Sequence, residues 1–419
     1  MRMEQAASYA RKNKRRAPHV PWAAASWLGL PSPGFTMPGM MPGLQAMNPM
    51  MAAALAPLQE LMQAQPFAGM MPKAFESGES AKLQQVINNA VLAQINRFVA
   101  GVKAYQAHPA NRNAPSMPVV WERGTTKVRD YGPESRGTPV LVVPSLINRF
   151  DILDLDTDHS LLRFFAAQGL HPYVVDWGEP GDEEKSFDLT GYVTHRLFPI
   201  LDHLAAKAPD KKVHLLGYCM GGNLALALAM LKGEAIRSLA LMATPWNNTV
   251  TPELKELIDG MEPHLEKVGY LPPEIIQLLF ASFQPAQVAQ KFTRFASVDP
   301  DSAEARRFVL TEDWLNDGVP LAAEVARECL LGWYKKNTTG KIQWRIGETL
   351  IDPRLLDLPF YVLVAGKDHI VPPESARPLA RLVRNAVLHE PVQGHTGLMA
   401  SQSAPRDVWQ PLASWFLAQ

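Results

Sequence analysis

The sequence predicts an α/β fold, a mostly parallel sheet covered by helices on both faces, with a helical insertion between two of its strands. Three observations point there. Short uninterrupted apolar runs alternate with helical stretches, and a strand buried on both faces reads as such a run. One of these runs, 213–219, passes through a glycine-flanked turn into a helix-forming stretch. The runs at 238–242 and 360–365 lie more than a hundred residues apart, too far for a simple crossover.

Residues 1–75 read as a low-complexity, disordered leader rich in Met, Pro and Ala. Nine of the 17 methionines fall between Met37 and Met71, interleaved with Pro38, Pro42, Pro49, Pro57, Pro66 and Pro72. Proline at that density stops any long helix, though 57–64 suits a short one with Pro57 at its first position. Methionine makes adaptable apolar surface. The leader therefore reads either as a segment that touches a hydrophobic surface or as one with no role. The basic cluster from Lys12 to Arg16 and the apolar stretch 20–30 faintly resemble a secretory signal. That stretch holds two tryptophans and a proline, with no cleavage site after it.

Within 76–117 the chain reads as an amphipathic helical segment. Leu83, Val86, Ile87, Ala90, Val91, Ile95, Phe98, Val99, Val102 and Tyr105 recur at three- and four-residue spacing. Ser77 or Ser80 suits its cap. This helix is expected to pack against and lead into a catalytic domain, 118–419, partner binding being the alternative. There, 139–143, 172–176, 213–219, 238–242, 360–365 and 386–390 read as strands. Helices are expected over 158–168, 189–207, 222–232, 374–384 and 404–417. The insertion, about 246–350, is mostly helical in character and is expected to cap the active site; Cys329 reads as a packing residue of a helix over 321–332.

Composition narrows the function. The 419 residues leave room for two or three domains, and 47% are hydrophobic, enough for a large core. Lys plus Arg and Asp plus Glu number 41 each, which argues against a nucleic-acid partner. Two cysteines, Cys219 and Cys329, form no disulfide framework and point to a reducing, cytoplasmic compartment. No stretch approaches the ~18 apolar residues of a transmembrane segment.

The hexapeptide Gly217-Tyr218-Cys219-Met220-Gly221-Gly222 reads G-x-C-x-G. Between a strand and a helix, this is the nucleophile elbow of an α/β-hydrolase, with cysteine where serine usually stands. A buried structural cysteine is the alternative. In that fold an acid and a histidine follow the nucleophile in chain order. Asp368, after the run 360–365, fits the acid, the alternative being a turn former near Pro372 and Pro373. His395, between Gly394 and Gly397 after the last strand, fits the base. His369 is adjacent to the acid, and His214 and His389 lie within strands. The thiolate is the reactive form of cysteine, and a nearby histidine takes the proton. The N–H of Met220 faces a developing oxyanion, and a second donor should come from Ser145 or Leu146 in the loop after 139–143. No His or Cys pair has metal-ligand spacing, and no nucleotide cradle is present.

With these residues in view the chain resembles the polyhydroxyalkanoate synthases. The resemblance rests on the cysteine elbow, on Pro144-Ser145-Leu146-Ile147-Asn148-Arg149-Phe150-Asp151-Ile152-Leu153-Asp154-Leu155, on Asp368-His369-Ile370-Val371-Pro372 and on Gly394-His395. It covers about residue 80 to the end. The chain departs from the family's tryptophan–asparagine block, where the nearest text is Trp314-Leu315-Asn316-Asp317-Gly318-Val319-Pro320, and after His395. The resemblance implies an acyltransferase that takes the acyl group of a 3-hydroxyacyl-CoA onto Cys219 as a thioester. His395 would deprotonate Cys219, and Asp368 would support the histidine or help activate the substrate hydroxyl. Successive transfers would release coenzyme A and grow a polyester, with no cofactor beyond the coenzyme A that enters with the substrate. A granule surface and a homodimer or second subunit are the partners it suggests. The other readings are a polyester depolymerase or thioesterase on the same scaffold, and a non-catalytic granule protein.

Overall fold

The computed structural model describes residue 15 and residues 80–132, 137–283 and 285–419. Apart from Arg15, the leader 1–75 and its short helix at 57–64 lie outside the described residues. The chain divides into two compact units, one of 1–110 with 277–309 and one of 111–276 with 310–419.

The larger unit is built on an eight-stranded sheet. Its strands are β1 (Val119–Arg123), β2 (Thr126–Asp130), β3 (Pro139–Val143), β4 (His171–Asp176), β5 (Val213–Tyr218), β6 (Ile236–Met242), β7 (Phe360–Leu363) and β8 (Val387–His389). They lie in the order β1-β2-β4-β3-β5-β6-β7-β8. From β4 to β8 every pairing is parallel, while β1 and β2 join as an antiparallel hairpin that also pairs antiparallel with β4. Every residue of β3 and of β5 is buried, as their unbroken apolar runs require. Among the helices that pack along this sheet are α1 (Leu161–Ala167), α2 (Phe198–Lys207) and α3 (Met220–Leu231). Ser160 caps α1 by accepting from the Arg163 N–H at 3.1 Å. In α3, residues 220–229 are all buried, so a helix apolar on every face is stable there.

Several boundaries differ from the sequence expectation. The hairpin β1–β2 is absent from that reading. The helix expected from 158 begins at Leu161, because Asp154–Asp156 and His159–Ser160 pair antiparallel first. The helix over 374–384 is two pieces, Pro373–Ala376 and Pro378–Leu382; Pro378 has no N–H to continue the first. In the insertion, Thr251 caps the helix Pro252–Val268, and Gly269, at φ 80°, ends it. The helix expected over 321–332 begins at Ala323 and widens at Glu328 into a π-helix, Glu328–Lys336, that ends on Asn337 at φ 54°.

The smaller unit packs the helix Ser80–Ala107 against Pro285–Phe295 and the first turns of Ala303–Asn316. Phe98, Tyr105, Phe292, Phe295 and Val309 make its core. Phe98 meets Phe292 edge-on at 6.2 Å, and Phe295 stacks on Phe308 at 4.2 Å. Gly101 lets the two long helices touch, since a β-carbon there would stand 1.8 Å from the Phe292 carbonyl oxygen.

Candidate active site

The site is assembled from the carboxyl ends of β5, β7 and β8. Cys219 follows β5 and precedes α3 with φ 55° and ψ −129°, a conformation that crowds a β-carbon. Its N–H donates to the Met242 carbonyl at 2.8 Å, and its carbonyl accepts the Gly222 N–H at 2.9 Å. The glycines around it are required by space. A β-carbon on Gly217 would lie 2.4 Å from the Gly222 Cα, and one on Gly222 would lie 1.8 Å from the Thr244 hydroxyl oxygen. On Gly221 it would lie 2.2 Å from the Val143 carbonyl oxygen and 2.4 Å from that of Pro144. The elbow is thus wedged between the ends of β3 and β6.

Two loops carry the other groups, and backbone bonds join them. Gly366 N–H donates to the Pro391 carbonyl at 2.8 Å, and Lys367 N–H to that of Gln393 at 2.9 Å. These bonds bring the next residue, Asp368, against His395. Asp368 Oδ1 accepts the N–H groups of Ile370 at 2.8 Å and Val371 at 2.9 Å, which fixes the carboxylate. Its Oδ2 meets His395 Nδ1 at 2.7 Å. With Nδ1 so engaged, Nε2 is the ring nitrogen left for the thiol, and Cys219 acts on the imidazole through space. The Tyr218 hydroxyl holds the His395 carbonyl at 3.2 Å. Cys219, Asp368 and His395 are all buried. Burial opposes a charge on His395, but the field of Asp368 and of Cys219, with the hydrogen bond to Asp368, outweighs it and lifts the imidazole well above its ordinary range. The arrangement can take a proton from sulfur and hold it.

The structure thus brings together the three side chains expected to carry the chemistry. Met220 is the first residue of α3, where a helix leaves its N–H without an intrahelical partner. Ser145 and Leu146 are buried in the loop after β3, whose first carbonyls face Gly221. The competing histidines His214, His389 and His369 have other settings. His214 bonds Ser238 Oγ at 2.7 Å in the core, where burial lowers it to about 4. His389 bonds the Tyr361 hydroxyl at 2.7 Å, and His369 is exposed.

Two neighbours were not foreseen. Burial raises the Tyr334 hydroxyl far above its ordinary range, and Cys219, Cys329 and Asp368 add to the rise through space. Burial, Glu328 and Cys219 likewise push the Cys329 thiol up. The π-helix of the insertion therefore lies within electrostatic reach of Cys219. Its wider turn displaces side chains from α spacing, so periodicity alone does not place Tyr334 there.

The α/β-hydrolase fold family matches residues 138–401. Among characterised proteins the chain is similar to the poly(3-hydroxyalkanoate) polymerase subunit PhaC of Haloferax mediterranei, 31% identical over 287 residues, which are 66% of this chain and 58% of that protein. It is 29% identical to the subunit of the same name from Synechocystis over 291 residues, 66% of this chain and 77% of that protein. With that of Allochromatium vinosum it shares 27% identity over 290 residues, 68% of this chain and 81% of that protein. The chain spans less than two thirds of the length of the Haloferax relative. Among solved structures, a monoacylglycerol lipase from Paleococcus ferrophilus superimposes with a TM-score of 0.45 at 14% identity, covering 70% of this chain and 98% of that one. No described helix is long and apolar enough to cross a membrane.

Proposed function

Because the chain belongs to the α/β-hydrolase fold family and groups there with the polyhydroxyalkanoate synthases, we propose that it transfers 3-hydroxyacyl units from coenzyme A onto a growing polyester through Cys219. The observation that carries the reading is a buried thiol, Cys219, at a strand-to-helix turn beside a buried histidine–aspartate pair, with His395 Nδ1 2.7 Å from Asp368 Oδ2. His395 takes the thiol proton as the sulfur attacks the thioester carbonyl. The oxyanion that forms lies before the Met220 N–H and an N–H from the loop after β3, Ser145 or Leu146. The intermediate collapses, the C–S bond to coenzyme A breaks, and His395 returns the proton to the departing thiolate. One thioester has replaced another, so the step is nearly balanced and the acyl group stays activated. A 3-hydroxyl group then attacks the enzyme thioester, its proton passing to His395, and an ester bond replaces the C–S bond to Cys219. Asp368 holds the ring in the tautomer both half-reactions need and stabilises its charged form. Burial of the site disfavours water as the competing nucleophile.

On this reading the protein works in the cytoplasm at the surface of a polymer granule, with 3-hydroxyacyl-CoA as substrate and no further cofactor. The relatives are named as subunits, so the assay includes the chain alone and the chain supplemented with a cell extract. The test supplies 3-hydroxybutyryl-CoA and follows coenzyme A release together with product mass. Release with products of many units is expected. Release of free 3-hydroxybutyrate alone would reassign the protein as a thioesterase, and turnover by Cys219→Ala equal to wild type would end the reading.

A further inference from the structure

The loop expected to supply the second oxyanion donor is pinned on both flanks. On one side it runs against the elbow, where the Pro144 carbonyl faces Gly221 and also accepts the Trp177 Nε1–H at 3.0 Å. On the other it is bound to the segment 314–319 of the insertion. The Val319 N–H donates to the Ile147 carbonyl at 2.8 Å. Asn148 forms an antiparallel bridge with Gly318. The Trp314 Nε1–H donates to the Arg149 carbonyl at 2.6 Å, and Asn148 Nδ2 donates to the Trp314 carbonyl at 3.4 Å. Arg149 Nε meets Asp317 Oδ2 at 3.0 Å, while its Nη2 meets Glu179 Oε1 at 2.5 Å. Residues 147, 148 and 149 are each tied to this one segment, and Ser145 and Leu146 immediately precede them.

A backbone N–H stabilises an oxyanion only when it is aimed at the place where the charge develops, and an error of an ångström is costly. A donor carried on a loop therefore needs an external frame. We propose that Trp314 and Asp317 are positioning residues, which act through Arg149 and the backbone of 147–149 to set the second oxyanion donor. The insertion then governs activation of the thioester carbonyl. The ion pair itself is a minor term for folding, since Asp317 is 47% and Arg149 28% exposed at the side chain.

The proposal rests on acyl transfer through Cys219, and the test separates the two. Trp314→Phe keeps an aromatic ring and removes the N–H; Asp317→Asn keeps the shape and removes the charge. In single-turnover mixing with 3-hydroxybutyryl-CoA, each is expected to slow acylation of Cys219 about tenfold, less than outright loss of a donor. KM and the melting temperature should stay near wild type, and Asp317→Glu should recover most of the rate. Iodoacetamide alkylates the same sulfur with no carbonyl oxyanion, so its rate should be the same in wild type and variants. Acylation at the wild-type rate in both variants would overturn the proposal. So would a parallel loss of iodoacetamide reactivity, which would mean that the segment supports the thiol and not the donor loop. If wild-type Cys219 alkylates normally yet is acylated by no thioester, acyl transfer fails and the proposal falls with it.

Discussion

Cys219 sits at φ 55° and ψ −129°, a conformation that suits glycine better. Cys219→Ala is expected to abolish coenzyme A release and leave the fold intact. Cys219→Gly should be equally inactive but more stable than the alanine variant by about 1 kcal/mol. Calorimetry on the two variants checks this, and equal melting temperatures would show that the elbow holds no strain. Asp368→Asn should slow acylation by about 10²–10⁴-fold, since the amide no longer stabilises the imidazolium; a single-turnover rate within threefold of wild type would remove Asp368 from the mechanism. Gly222→Ala drives a β-carbon to 1.8 Å from the Thr244 oxygen, and should lower stability by about 1–3 kcal/mol as overpacking. These residues were legible in the sequence because the elbow is local: glycines flank the cysteine, with a strand before it and a helix after it. Asp368 and His395 were legible from chain order and from the loops they occupy. Tyr334 was not, because only tertiary packing brings the π-helix near Cys219.

That π-helix is also tied to the core at its first residue. Glu328 Oε1 accepts the Trp344 Nε1–H at 2.7 Å, and Oε2 accepts the Leu189 N–H at 3.1 Å. Burial nonetheless dominates and lifts the carboxyl from 4.5 to about 7, with Asp188 adding to the rise and the two hydrogen bonds opposing it. Between those two values the folded chain holds a proton that the unfolded chain has released. Stability from this group is therefore full below about pH 4.5 and is lost as pH rises through about 7. Glu328→Gln should lack that decline, and the two pH profiles should diverge by on the order of 3 kcal/mol at most. Denaturant unfolding from pH 4.5 to 8 reads it, and parallel profiles would show that Glu328 titrates normally. At this scale the sequence was less informative. Element type was legible for the apolar strands and long helices, but a proline break at Pro378 and the widening at Glu328 depend on bonds between neighbours. The hairpin β1–β2 escaped because its buried face includes Thr126 and Asp130, while Val119 is 42% exposed. Such a pair reads as polar chain.

Across the whole molecule, fold class was visible in the recurrence of buried runs, whereas strand order was not. Order is decided by which edges meet, and those meetings span long stretches of chain. Phe360 pairs with Leu239, and Tyr361 with Val387. The division into two units was equally hidden, because 277–309 packs with a helix far earlier in the chain. The β6–β7 pairing has a kinetic consequence. The chain between those strands must be drawn into a closed loop before Asp368 can approach the elbow, and parallel, non-local pairing of this kind forms slowly. After dilution from denaturant, ellipticity should recover first, and trapping of Cys219 by a thioester probe should lag behind it. Simultaneous recovery in stopped-flow traces would mean that the distant strands meet early, and that assembly of the sheet is not the late event on the route to a complete site.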